Sequence, residues 1–152
     1  MNDEKKIIGY TTGVFDMFHI GHLNILKHAK ENCDYLIVGV TTDDLVSYKK
    51  TRTIIPFEER IEIVKALNLV DKVVPQINMD KMAAWEELKF NRMFVGSDWE
   101  GTNKWNKLEK DFEEVGVDIM YFPYTEGTSS SKLKIALTTL LSLGAEQGYD
   151  EP

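Results

Sequence analysis

Five short apolar runs recur along the chain, each separated from the next by a stretch with helical spacing. This alternation limits the fold more than any other feature. The runs are Ile7-Ile8-Gly9-Tyr10, Tyr35 to Val40, Val70 with Val73-Val74-Pro75, Arg92 to Gly96, and Val117 to Phe122. Their length and their content of β-branched and aromatic residues mark them as strands. Apolar periodicity predicts helices over roughly 21–32, Phe57 to Leu67 behind Pro56, about 79–89, 103–115 and Ser131 to Leu143. Strand and helix in alternation imply parallel β-α-β units with right-handed crossovers and helices on both faces of one sheet. The expected fold is a Rossmann-like three-layer α/β sandwich on a five-stranded parallel sheet. It forms one domain over 1–152, with Thr41 to Pro56 a loop and about 144–152 a frayed tail.

Composition removes several functions. A formal net charge of −7 argues against an extended nucleic-acid surface, which needs a basic stripe, while leaving room for a small basic pocket. No apolar run approaches the ~20 residues of a membrane span, and the first residues lack the apolar core of a signal peptide. A cytoplasmic protein without membrane or nucleic-acid partners is expected. The one cysteine, Cys33, has no internal disulfide partner.

In doubly wound sheets ligands sit beyond the carboxyl ends of the strands, so the polar segments after the strands are the ones to search. The first runs from Thr11 to His22, a glycine-containing turn leading into a helix start. Free backbone N–H groups and a partial positive charge at such a terminus favour an anion. His19 and His22 fall on one face of this helix. They are either half-buried loop residues or groups aimed at the bound anion, and no Cys/His cluster elsewhere completes a zinc set.

The string Gly13-x-Phe15-Asp16-x-x-His19-x-Gly21-His22 resembles the signature of the cytidylyltransferase-like nucleotidyltransferases. Three later segments extend the resemblance over about residues 5–142. Lys49, Lys50 and Arg52 stand close together before Arg60, which resembles the arginine of the family's E-x-R segment; on charge alone they form a solvated face or a phosphate clamp. Gly96-Ser97-Asp98-Trp99-Glu100-Gly101 resembles G-D-D-W-E-G of the members acting on glycerol phosphate, with Ser97 in place of an aspartate. Trp99 reads as a packed rim residue or a substrate contact. Tyr124-Thr125-Glu126-Gly127-Thr128-Ser129-Ser130-Ser131 resembles R-T-E-G-I-S-T-T, where hydroxyls and free N–H groups at a helix start serve as cap and phosphate cradle together.

The resemblance implies a cytidylyltransferase joining CTP to a phosphorylated alcohol, glycerol 3-phosphate above all. The products are a CDP-alcohol, for surface-polymer or lipid precursor synthesis, and pyrophosphate. It implies His19, His22 and Lys49 as catalytic donors. Thr12, Gly13, Val14, Phe15, Asp16, Gly21, Gly96, Asp98 and Thr125 to Ser131 would hold the nucleotide, and Arg60, Trp99 and Tyr124 the acceptor. Mg²⁺ would come with the triphosphate, and Asp16 would orient either a histidine or that metal. A small enzyme of this kind is expected as a homodimer. Tyr124 stands where the family has arginine and brings no charge. This leaves open a relative using ATP, another phosphoalcohol or a sugar phosphate, or a nucleotide-binding module without catalysis.

Overall fold

The computed structural model describes residues 6–48, 52–123 and 129–147, with the backbone alone for Tyr48 and for 144–147. Its strands are β1 (Ile8–Gly13), β2 (Tyr35–Thr41), β3 (Lys72–Gln76), β4 (Arg92–Gly96) and β5 (Asp118–Phe122). Its helices are α1 (Ile20–Glu31), α2 (Asp43–Tyr48), α3 (Phe57–Lys65), α4 (Lys81–Leu88), α5 (Asn103–Glu114) and α6 (Ser130–Gln147). All strand pairs are parallel, and the order is β3-β2-β1-β4-β5. The fold is the expected α/β sandwich. The chain winds outward from β1 to β3 and then returns to the other side of β1, so the switch point lies between β1 and β4.

Three boundaries differ from the sequence reading. β1 continues to Gly13, which pairs with Val40, so the glycine ends the strand rather than opening a loop. The stretch expected as a loop from Thr41 to Pro56 contains α2. α6 runs to Gln147, into the stretch expected to fray.

Side-chain alternation divides the core into two layers. Leu36, Val38 and Val40 of β2 pack with Leu26 and Ala29 of α1, Val64 of α3, Phe94 and Phe122. Ile37 points to the other face, among Tyr10, Phe90, Met93, Trp105 and Phe112. Each fully buried side chain of this size contributes about 1.5–3 kcal/mol. At Gly9 the layers leave no room: a Cβ would sit 2.5 Å from the Phe94 ring and 2.8 Å from Cys33 Sγ.

Candidate active site

Beyond Gly13 the chain makes a tight turn in which Phe15 and Met17 adopt left-handed backbone angles (φ 54° and 49°). Such angles strain non-glycine residues, so the turn must be held from outside. Phe15 is buried and anchors it in the core. The Asp16 carboxylate, also buried, accepts from the backbone N–H groups of Ile54 (2.8 Å) and Ile55 (2.9 Å), with Lys134 Nζ 3.4 Å away. Arg60 closes the assembly. Its guanidinium donates to the carbonyls of Val14 (2.6 Å), Thr41 (2.8 Å) and Ile55 (2.9 Å) and to Asp43 Oδ1 (2.6 Å).

These bonds correct two expectations. Arg60 is 1% exposed and faces inward to bind backbone, because three carbonyls left at the ends of strands and turns need donors. It is not a substrate-facing cation. Asp16 spends its oxygens on the loop before α3, so it is a brace of the turn rather than a ligand for nucleotide or metal.

The turn delivers both histidines to the first turn of α1 in a reciprocal cap. His19 Nδ1 accepts from Gly21 N–H at 3.0 Å, and His22 Nδ1 accepts from His19 N–H at 3.2 Å. A ring nitrogen that accepts carries no proton, so each imidazole holds its proton on Nε2. The rings stack with centroids 3.9 Å apart. Burial lowers the His19 pKa below its ordinary value. Burial also lowers His22, assisted by the neighbouring His19 and opposed by Asp16, to about 4. At neutral pH the pair is uncharged, and each member is an Nε2–H donor.

Ser130, at the start of α6, donates from Oγ to the Asp16 carbonyl at 2.8 Å and lies 3.3 Å from His19 Nε2, from which it accepts. The N-termini of α1 and α6 therefore converge. A cavity of about 260 Å³ opens between them, lined by His19, Gly21, His22 and Ser129 to Ser131. Two positive helix ends and the hydroxyls of Ser129 to Ser131 face it, a lining that can receive the phosphates of a nucleotide.

A second cavity of about 230 Å³ lies over the carboxyl ends of β1 and β4, bounded by Thr12, Gly13, Val14, Trp99, Lys81 and Lys104. Ile25 and Gly96 line both cavities, so the two form one cleft across the switch point. The structure thus gathers Thr12, Gly13, Val14, His19, Gly21, His22, Gly96, Trp99 and Ser129 to Ser131. Asp98 is exposed and lines neither cavity, and the Phe15 side chain belongs to the core. Lys49, Tyr124, Thr125, Glu126, Gly127 and Thr128 lie outside the described residues.

Sequence reasoning missed Lys81, Lys104 and Lys134. Lys81 follows the Asp80 cap of α4, directly after β3, and so occupies the one post-strand segment that carried no recognised motif. Its position after a strand was the available signal. Among the described residues no three His, Cys, Asp or Glu side chains gather to hold a metal ion. No described helix is long and apolar enough to cross a membrane.

A parallel sheet with a histidine-capped helix start facing a hydroxyl-rich one across its switch point defines a nucleotidyltransferase-type α/β protein. Residues 10–136 match the family described as cytidylyltransferase-like, and the chain belongs to that family. It is 33% identical over 137 residues to a glycerol-3-phosphate cytidylyltransferase of Bacillus spizizenii, covering 90% of this chain and 99% of that one. It is 34% identical over 134 residues to an FAD synthase of Thermococcus sibiricus, covering 87% of this chain and 90% of that one. Among solved structures, a lipopolysaccharide core biosynthesis protein from Thermoplasma volcanium superposes with a TM-score of 0.67 at 24% identity, covering 82% of this chain and all of that one, which speaks to the fold.

Proposed function

We propose that the protein transfers a cytidylyl group from CTP to a phosphorylated polyol of the glycerol 3-phosphate class, releasing pyrophosphate. The observation that carries this reading is the reciprocal cap, which sets the Nε2–H edges of His19, beside Ser130, and of His22 at a cleft between two helix N-termini. An oxygen of the acceptor phosphate attacks the α-phosphorus in line. The bond from α-phosphorus to the bridging oxygen breaks, and pyrophosphate leaves. The acceptor is already an anionic nucleophile, so the protein's task is to position and neutralise. His19 and His22 donate to the oxygens on which charge develops, and neutral donors do so without prior deprotonation. Ser129 to Ser131 and the start of α6 take the β and γ phosphates.

Lys81 and Lys104 supply positive charge on the acceptor side, with the expected contribution of Lys49. Mg²⁺ would come with the nucleotide substrate and would neutralise part of the triphosphate charge. Carriage by the substrate fits a site whose Asp16 oxygens and histidine Nδ1 atoms are already occupied by backbone N–H groups.

The test is pyrophosphate release with CTP, ATP, UTP and GTP against glycerol 3-phosphate and other phosphoalcohols. Activity with CTP and a phosphorylated polyol is expected. Release with ATP and a flavin mononucleotide acceptor would move the protein to the reaction named by its FAD synthase relative, and tight CTP binding without release would make it a binding module.

We further propose that the protein is a homodimer joined through α6. The nine residues Ile135 to Leu143 carry no charge, and Ile135, Leu140 and Leu141 are 69%, 64% and 68% exposed. An uncharged helix with this many exposed leucines and isoleucines belongs against another apolar surface. Leu137, Leu140 and Leu141 fall on one face of the helix, so pairing with the same face of a second copy would cover all three, the self-complementarity a twofold interface requires. Light scattering is expected to give twice the mass of one chain, and a monomer would refute the proposal.

A further inference from the structure

A third cavity, of about 220 Å³, lies between the end of β3 and α4. Gln76 and Lys81 line both this cavity and the acceptor side of the cleft, so the two spaces adjoin across that pair. Tyr10 forms part of its wall. Its ring is held deep in the core, stacked on Phe90 with centroids 4.7 Å apart, and the residue is 3% exposed. Its hydroxyl makes no hydrogen bond to the described residues and reaches the cavity, since no fully buried side-chain nitrogen or oxygen among them lacks a partner.

A tyrosine whose ring is fixed in the core and whose O–H reaches a cavity offers a ligand one hydrogen bond at a set place. The sequence also makes room for this hydroxyl: at Gly39 of β2 a Cβ would come within 2.9 Å of it. Glu87 stands at the rim of the same cavity, and burial together with the Glu87 charge pushes the Tyr10 pKa up to about 12. The phenol is therefore un-ionised and has a proton to donate. Asp80 offers less, since its Oδ1 already accepts from Ala83 N–H.

The cavity offers a ligand an O–H donor at Tyr10 and a carboxylate acceptor at Glu87. A hydroxyl can engage both, whereas an ammonium donates only and would leave the phenolic proton unpaired. We propose that this cavity receives the distal hydroxyls of the acceptor, and that the acceptor is a phosphorylated polyol longer than glycerol, with its phosphate on the cleft side of Lys81. The inference rests on the transferase reading above and sharpens its substrate. A three-carbon acceptor engaged at the cleft ends near Gln76 and Lys81; a chain of five carbons extends past them to Tyr10.

The experiment is calorimetric titration of the full chain with glycerol 3-phosphate and with D-ribitol 5-phosphate, alone and saturated with the non-reacting α,β-methylene analogue of CTP. The five-carbon ester is expected to bind about tenfold more tightly, the worth of one or two hydrogen bonds to buried groups. Tyr10→Phe removes one oxygen without changing the packed ring, and the ratio of the two dissociation constants is expected to fall to about one. Glu87→Gln, at an exposed rim position that leaves folding intact, lowers the same ratio.

Equal affinities in the unaltered protein, a ratio that survives Tyr10→Phe, or binding of neither ester would overturn the proposal. Pyrophosphate release is measured in parallel. Discriminating binding without release from CTP would overturn the transferase reading and leave the cavity assignment standing. Release with glycerol 3-phosphate and no discrimination would do the reverse.

Discussion

The two helix starts that meet at the cleft are secured in opposite ways. The turn into α1 is held by bonds on several sides: Arg60 on the Val14 carbonyl, Asp16 on the loop before α3, and the histidine pair on N–H groups of the helix start. α6 meets the body through Ser130 and through Lys134, which donates to the Arg52 carbonyl at 2.8 Å, and from Ile135 onward its described residues are exposed. Groups that must be placed to a few tenths of an ångström therefore sit on the rigid turn. The hydroxyl cradle sits on an element that shows fewer such bonds among the described residues. Rigid placement of donors is what electrostatic catalysis requires, because a donor that must reorganise loses most of its advantage.

This contrast can be broken from the rigid side first. Arg60→Ala strips donors from three carbonyls in a buried setting and is expected to cost on the order of 3–5 kcal/mol, read as the shift in urea midpoint. Arg60→Lys restores little, since an ammonium cannot span the forked geometry. A cost under about 1 kcal/mol would show that the turn holds itself. His19→Ala or His22→Ala is expected to cut turnover by about 10²-fold or more through loss of a positioned donor. Unchanged turnover in both would remove the pair from the chemistry.

Acidification tests the same lock by another route. Between the ordinary histidine value of 6.5 and about 4, the unfolded chain takes up a proton that native His22 refuses. The stability associated with the neutral site is thus complete above pH 6.5 and is lost as the pH falls through that window. Glutamine at position 22 keeps an acceptor for the cap but does not titrate, so His22→Gln is expected to flatten the decline in urea midpoint between pH 7 and pH 4. An identical decline in both proteins would show that the acid sensitivity lies elsewhere.

On the loosely held side, effects should be smaller. Ser130→Ala removes the acceptor facing His19 Nε2 and is expected to lower turnover by about three- to tenfold, the worth of one hydrogen bond. Leu140→Glu is expected to leave the fold intact and shift the mass seen by light scattering to a single chain. Retention of the larger mass would locate the interface away from α6.

The alternation of apolar runs specified five strands and their parallel arrangement, because the period of a strand and that of a helix are local properties of the chain. His19 and His22 were legible for a similar reason: a strand, a glycine turn and a helix start fix where residues three apart will point. The reading failed where direction depends on distant partners. Arg60 has the charge and the motif of a phosphate clamp, yet carbonyls separated from it by as many as 46 positions draw it inward. α2 was missed because six residues carry little periodicity, and Asp43 is fixed by Arg60 and by Phe57 N–H. Lys81 was passed over because nothing beside it in the chain announces that α4 begins at the wall of the cleft.

Sequence by itself determined the fold class, the family and the identity of the two histidines. Each is written in local periodicity or in a contiguous motif. Tertiary structure alone decided that both histidines are neutral Nε2–H donors, that Arg60 and Asp16 serve the turn, and that Tyr10 turns its hydroxyl to a cavity beside Lys81. Those outcomes depend on burial and on which hydrogen-bonding groups meet, and such meetings exist only once remote segments have packed together.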